Sequence, residues 1–224
     1  MKIENSNIIS KEQFLEVKNI CNSLNKYLSK FDLSGFRDIR IVEKGILNPS
    51  SDGNFKNGEI LIPKDKIQYY LKKGEKDVIK STIYHELCHV DYSNKLPKLH
   101  MLHEKYCKEE NFIKAFTIMI YIEYLTHLKS IKMESKKLKS DFYDSINNYN
   151  YDFTNPEHRV YFIKTTPYII SRDVNIKNIK NEKLKKNIEE VKKELIKLPT
   201  KQLVDKYDIL CGLEKIVSKY ISND

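Results

Sequence analysis

Apolar residues recur at helical spacing near the start of the chain. Between Phe14 and Phe31 they stand three or four residues apart, so they share one face of a helix. Ser10 and Gln13 have the spacing of a capping box, in which each side chain accepts the other residue's backbone N–H. The pattern predicts a first helix that begins after Ser10 and buries one side.

Short isoleucine-rich segments mark the next elements. Asp38–Val42 has isoleucines at alternating positions, and Glu59–Pro63 is an apolar run that ends at its own proline. Both are predicted strands, and we expect them to pair in a small sheet. The stretch 48–58 between them is rich in Asn, Ser and Gly, which predicts a loop or hairpin connection.

Helical patterns fill most of the remaining chain. They cover residues 66–73, 78–92 (with Asp77 as N-cap), 104–138 and 183–197, with one or two further helices over 203–220. Residues 115–125 are apolar almost all round and are expected to be buried on most sides. The predicted connections are a polar loop around Pro97 and a tyrosine-rich connector at 141–153, while 160–170 stays open between strand and helix.

Together these elements predict an α+β fold that is predominantly helical. The sheet falls in a first domain over residues 1–150, and residues 151–224 form a helical C-terminal extension. No apolar run is long enough to cross a bilayer, so no membrane partner is expected. The start lacks a signal-peptide pattern, and the four scattered cysteines favour free thiols in a cytoplasmic protein.

The formal charge of +9 invites a nucleic-acid interpretation. Of the 40 basic residues, however, only four are arginines. Arginine is the preferred side chain for binding phosphates and base edges, because its planar guanidinium group donates hydrogen bonds to two acceptors at once. The lysines also alternate with glutamates, as they do on a solvated surface. Charge alone therefore does not indicate nucleic-acid binding.

The strongest chemical signal is His85-Glu86-Leu87-Cys88-His89, an H-E-x-x-H motif inside a predicted helix. Residues four apart share a helix face, so both imidazoles can bind one zinc ion. Glu86 can reach a water on that ion without binding the metal. Cys88 points roughly 100° away from His89 and is expected in the core. Asp91 is expected to cap the helix or lie on the surface.

A zinc site of this kind needs a third protein ligand, and Glu123 is the first choice. It lies in an apolar run, where a carboxylate needs a cation because desolvation costs several kcal/mol. The alternative for Glu123 is a salt bridge to a basic residue. His127, one turn on, would orient Glu123 or a water, or is a partly buried surface residue. Two loop histidines, His100 and His103, remain the alternative ligands.

The segment around the motif, with Glu123-Tyr124 later in the chain, resembles the zincin metallopeptidases of the gluzincin type. It is similar to small bacterial and phage-associated members, and the resemblance covers about residues 39–130. Asp91 and Thr126 depart from the residues usual at those positions. A SprT-like group also has H-E-L-C-H, with a third histidine in a following loop, which keeps His103 open.

The resemblance implies a zinc-dependent metallopeptidase that hydrolyses peptide or protein substrates through a zinc-activated water, with Glu86 as general base. It also implies a sheet edge that pairs with an extended substrate, for which Gly58 to Pro63 is the candidate. The candidates for stabilising the oxyanion are Tyr151, His158, Arg159 and Tyr161. Two alternatives stay open: a zincin-fold regulatory or binding protein with little peptidase activity, and a helical protein with an accidental motif.

Overall fold

The computed structural model describes residues 1–5, 8–46, 52–196 and 207–221, and it is mostly helical with one small sheet. The α+β class predicted from the sequence is therefore confirmed. The chain divides into two compact units: residues 1–95 with 132–135, and residues 96–131 with 136–224. This division does not coincide with the predicted boundary at residue 150. No helix among the described residues is both long and apolar enough to span a bilayer.

The sheet of the first unit has the strand order β1-β2-β4-β3. These strands are β1 (Ile3–Glu4), β2 (Asp38–Val42), β3 (Asn54–Lys56) and β4 (Glu59–Pro63). The predicted pairing of β2 with β4 is confirmed, and it is parallel. Isoleucines of the two strands face each other in register and are buried, because alternate side chains share one face of a sheet.

The outer strand next to β4 is β3, which lies inside the stretch predicted as a loop or hairpin connection. Asn57 and Gly58 form the two-residue turn between them, and both have positive φ, as a type I′ hairpin turn requires. A side chain at Gly58 would also collide with the Gly35 carbonyl oxygen, 2.6 Å from an ideal Cβ. The expectation that Gly58 to Pro63 is the sheet edge is wrong, because β3 covers it.

Three helices pack in the same unit: α1 (Lys11–Leu24), α2 (Lys64–Lys72) and α3 (Lys76–Lys95). The predicted capping box is present at the start of α1, and a 3-10 helix, Asn25–Lys30, follows that helix. The motif helix α3 begins at Lys76, so Asp77 lies in its first turn and is not the predicted N-cap. Buried residues from α1, α3 and the sheet form one continuous core.

The regular secondary structure described in the second unit is all helical. Its helices are α4 (Pro97–Lys108), α5 (Phe112–Ser130), α6 (Lys136–Asn148), α7 (Pro156–Ser171), α8 (Glu182–Ile196) and α9 (Tyr207–Ile221). The predicted burial of residues 115–125 is largely confirmed, since most of the α5 side chains there are buried. The predicted apolar face of α8 is confirmed as well, with Leu184, Ile188, Val191 and Leu195 buried.

Two connections predicted in the second unit are helical in the structure, and one predicted helical region is interrupted. The polar loop around Pro97 is the start of α4, because a proline at the first helical position loses no hydrogen bond there. The single helix predicted over 104–138 is broken near Glu110, whose φ of 56° is left-handed. The connector predicted at 141–153 is mostly α6. Residues 197–206, which include the start of the helices predicted over 203–220, lie outside the described residues.

Candidate metal centre

The two histidines of the motif converge on one side of α3. The Nε2 atoms of His85 and His89 lie 3.1 Å apart, and the ring centroids are separated by 4.7 Å. Both side chains are half-buried, whereas Tyr84, Leu87 and Cys88 on the other side of the helix are in the core. The amphipathic pattern of α3 thus turns the imidazoles away from the core while holding their backbone rigid.

This spacing suits two ligands of a tetrahedral metal. Nitrogens at roughly 2.0–2.1 Å from a zinc ion stand about 3.3 Å apart when the angle is tetrahedral. The observed 3.1 Å between the Nε2 atoms is within a few tenths of an ångström of that value. His85 and His89 therefore fit zinc without a change of rotamer class, and two more coordination positions remain to be filled.

Glu86 lies on the side of α3 that faces the sheet of the first unit. It is buried, with 7% of its surface exposed. Its side chain stem lies against the backbone that leads into β3: an ideal Cβ on Gly53 would stand 3.3 Å from Glu86 Cγ. The same Cβ would stand 2.9 Å from Thr82 Cγ2, one turn earlier on α3. A carboxylate in so confined a place has few rotamers open to it.

The C-terminal half of α3 is tied down by a buried carboxylate. Asp91 is 1% exposed and accepts the backbone N–H of Asp32 at 2.6 Å. Its carboxylate also pairs with Lys95 at 2.8 Å, and Asn94 donates to the Asp32 carbonyl at 2.9 Å. The expectation of a cap or a surface role for Asp91 is wrong, because these contacts join the motif helix to the loop after the first helix.

Cys88 lies where its position around the helix predicted. It is fully buried in the core of the first unit, as is nearly all of Cys21. Cys107 is exposed and Cys211 is partly exposed, and all four cysteines are free thiols. Cys88 therefore contributes packing beneath the two histidines rather than a ligand atom.

Glu123 and His127 belong to the second unit and face each other one turn apart on α5. Glu123 Oε2 and His127 Nε2 are separated by 3.5 Å. The His127 side chain is buried, whereas 26% of the Glu123 side chain is exposed. The His127 ring packs on the Tyr168 ring from α7, with centroids 3.6 Å apart. The pair therefore places a buried imidazole beside a partly exposed carboxylate.

The alternative ligands His100 and His103 lie on α4 and not in a loop. His103 Nε2 is 3.7 Å from Cys107 Sγ, one turn further along. Burial lowers the pKa of His103, because desolvation disfavours the charged imidazolium. The acidic residues on and after this helix, Glu104, Glu109 and Glu110, are exposed as predicted.

The four candidates for stabilising an oxyanion all lie in the second unit. Tyr151 is buried in an aromatic cluster, and burial raises its pKa to about 12. Tyr161 stacks on Tyr149 with centroids 4.1 Å apart. His158 Nδ1 accepts the Asp152 backbone N–H at 3.0 Å, and Arg159 donates to the Phe153 carbonyl at 3.5 Å. Each candidate thus has a packing or hydrogen-bonding contact within its own unit.

Two residues beside these groups were missed by sequence reasoning. Gly53 packs on the stem of Glu86, and Tyr168 packs on His127. Gly53 does not have the positive φ of a turn glycine. Tyr168 lies within residues 160–170, where the sequence pattern did not distinguish a strand from a helix. No family model, curated protein or solved structure matches this chain.

Proposed function

We propose that this chain is a zinc metallopeptidase with a zincin-like domain, a hydrolase of peptide or protein substrates in the cytoplasm. The observation that carries the proposal is the arrangement on α3: two Nε2 atoms 3.1 Å apart, with the buried carboxylate of Glu86 next to the first of them. Two neutral nitrogens, an adjacent base and room for water are what hydrolytic zinc sites need.

The residues of α3 would have two roles in peptide hydrolysis, metal binding and general-base catalysis. Zinc, when bound, polarises the scissile carbonyl and lowers the pKa of a water molecule toward about 7. His85 and His89 would hold it through their Nε2 atoms. Glu86, which is buried, would accept a proton from the attacking water and pass it to the leaving nitrogen. The packing of Gly53 on the Glu86 stem supports this assignment.

For the third ligand we propose Glu123, held in place by His127. The support comes from α5 itself, where Glu123 is a carboxylate among otherwise mainly buried residues and lies 3.5 Å from the His127 imidazole. A ligand that is itself hydrogen-bonded by a neighbour keeps its orientation, and such partners typically change metal affinity 10–100-fold when removed, an order-of-magnitude figure. The alternative His103 has its Nε2 beside a thiol.

An extended substrate would bind along β3, the outer strand of the sheet. Strand addition uses the unpaired backbone groups of an outer strand, so it gives affinity with little dependence on side chains. Asn54 and Lys56 of β3 are exposed. The strand also leads directly from Gly53, which packs on Glu86.

The test is metal analysis together with hydrolysis of an unstructured protein. We expect close to one zinc per chain, lost in His89→Ala, and we expect Glu86→Gln to keep zinc while hydrolysis falls by at least ~100-fold. Glu104→Gln, the same change at an exposed position, serves as the control. Zinc without any hydrolysis in the unmodified chain would favour the regulatory alternative. Absence of zinc would refute both.

A further inference from the structure

The two residues that lead into β3 are fixed by two different helices of the first unit. The Asp52 carboxylate accepts the Tyr70 hydroxyl at 3.0 Å and pairs with Lys66 Nζ at 3.0 Å, and both partners belong to α2. Burial, and then the nearby Asp52 charge, raise the pKa of Tyr70, so its hydroxyl stays a donor. Gly53, the next residue, is buried against α3.

The space at Gly53 is smaller than a methyl group. An ideal Cβ there would stand 2.9 Å from Thr82 Cγ2, 3.3 Å from Glu86 Cγ and 3.5 Å from the Leu61 carbonyl oxygen. The φ of Gly53 is outside the left-handed region, in contrast to Gly35, Gly45, Gly58 and Gly74. Backbone conformation therefore does not require glycine at this position, and close approach to α3 does.

We propose that Gly53 is a positioning residue for Glu86, an inference that rests on the proposed function. The backbone at Gly53 forms one wall of the space that holds the Glu86 stem, and the Asp52 contacts with α2 keep that wall in place. The same backbone continues into β3. Asp52 and Gly53 therefore fix the position of Glu86 and also the position of the outer strand along which we place the substrate. A methyl group at Gly53 would shift Glu86 relative to β3 by a few tenths of an ångström.

The experiment compares Gly53→Ala with Gly212→Ala in the full chain. At Gly212, inside α9, an added Cβ meets nothing within 4 Å. We expect Gly53→Ala to retain zinc and KM while kcat falls about tenfold, since misplacing a catalytic group by 1 Å is worth on the order of 100-fold. Gly212→Ala should leave zinc content, kcat and KM unchanged.

A second substitution separates positioning from stability. Thr82→Ser removes Cγ2, the atom that an added Cβ would approach most closely, but leaves Glu86 Cγ at 3.3 Å. In Gly53→Ala with Thr82→Ser, we therefore expect the melting temperature to return toward that of the unmodified chain while kcat stays low.

Three results would overturn the proposal: an unchanged kcat in Gly53→Ala, a change in KM alone, or a kcat that recovers together with the melting temperature. The last would mean that Gly53 acts only through folding. Failure of the proposed function would be visible separately, because the unmodified chain would then lack zinc or hydrolysis, and the role of Gly53 would fall with it.

Discussion

Removing the buried carboxylate that ties down the motif helix should destabilise the first unit strongly. Asp91→Ala deletes a charge-assisted hydrogen bond from the Asp32 N–H, at 2.6 Å, and leaves that N–H without its carboxylate. Hydrogen bonds to charged groups contribute about 1.5–3 kcal/mol. The ion pair with Lys95 adds about 0–1 kcal/mol, because the lysine side chain is half exposed. We expect a total loss of about 1.5–4 kcal/mol in the free energy of unfolding.

The assay is urea unfolding followed by far-ultraviolet circular dichroism, with three variants. Asp91→Asn keeps an acceptor for the Asp32 N–H and should lose less than Asp91→Ala. Lys95→Ala removes only the exposed ion pair and should lose less than about 1 kcal/mol. If Asp91→Ala unfolds within about 0.5 kcal/mol of the unmodified chain, as an ordinary surface substitution does, the reasoning about α3 is wrong.

Three further predictions concern the metal, the thiols and the hairpin. Glu123→Ala should weaken zinc binding strongly while His103→Ala leaves it nearly unchanged, as measured by metal titration; the reverse result would move the site to the histidine. An aromatic disulfide reagent should modify the exposed Cys107 first and Cys21 only on denaturation, because burial raises the pKa of the Cys21 thiol to about 12; fewer than four thiols in the unfolded, unreduced chain would contradict this. Gly58→Ala should lower the free energy of unfolding, measured with urea, by at least about 2 kcal/mol. The reason is that the strain of a left-handed backbone adds to the approach of the new Cβ to a carbonyl oxygen at 2.6 Å. A loss below about 0.5 kcal/mol would refute this prediction.

Local signals predicted local structure well in this chain. The capping box of α1 involves only residues three apart, and it is present as predicted. The apolar faces of α1 and α8 follow from spacing alone, and both are buried. The motif helix was also predicted correctly, because the spacing of its histidines and the spacing of its apolar residues both match the period of an α-helix. Its two Nε2 atoms then converge as a direct result of helix geometry.

Features that depend on distant residues were predicted poorly. Pro97 begins a helix rather than lying in a loop, and a proline alone does not distinguish these two positions. The Asn57-Gly58 dipeptide was an available signal for the hairpin, but strand order is set by contacts with β2, far away in sequence. Asp91 was expected at the surface because nothing near it in sequence shows that Asp32 packs against it. The third ligand is likewise a long-range question, and Glu123 stays a prediction.

The order of the strands has a consequence for how the sheet forms. β3 and β4 are joined by a two-residue turn, so their pairing closes a very short loop, whereas β2 and β1 must find their partners in parallel across intervening elements. Loop-closure entropy rises with separation, and low contact order speeds folding. We expect the β3–β4 hairpin to be protected first in pulse-labelling hydrogen exchange, and later protection of β3 than of β2 would contradict this. The strand along which we place the substrate would then be assembled before the rest of its sheet.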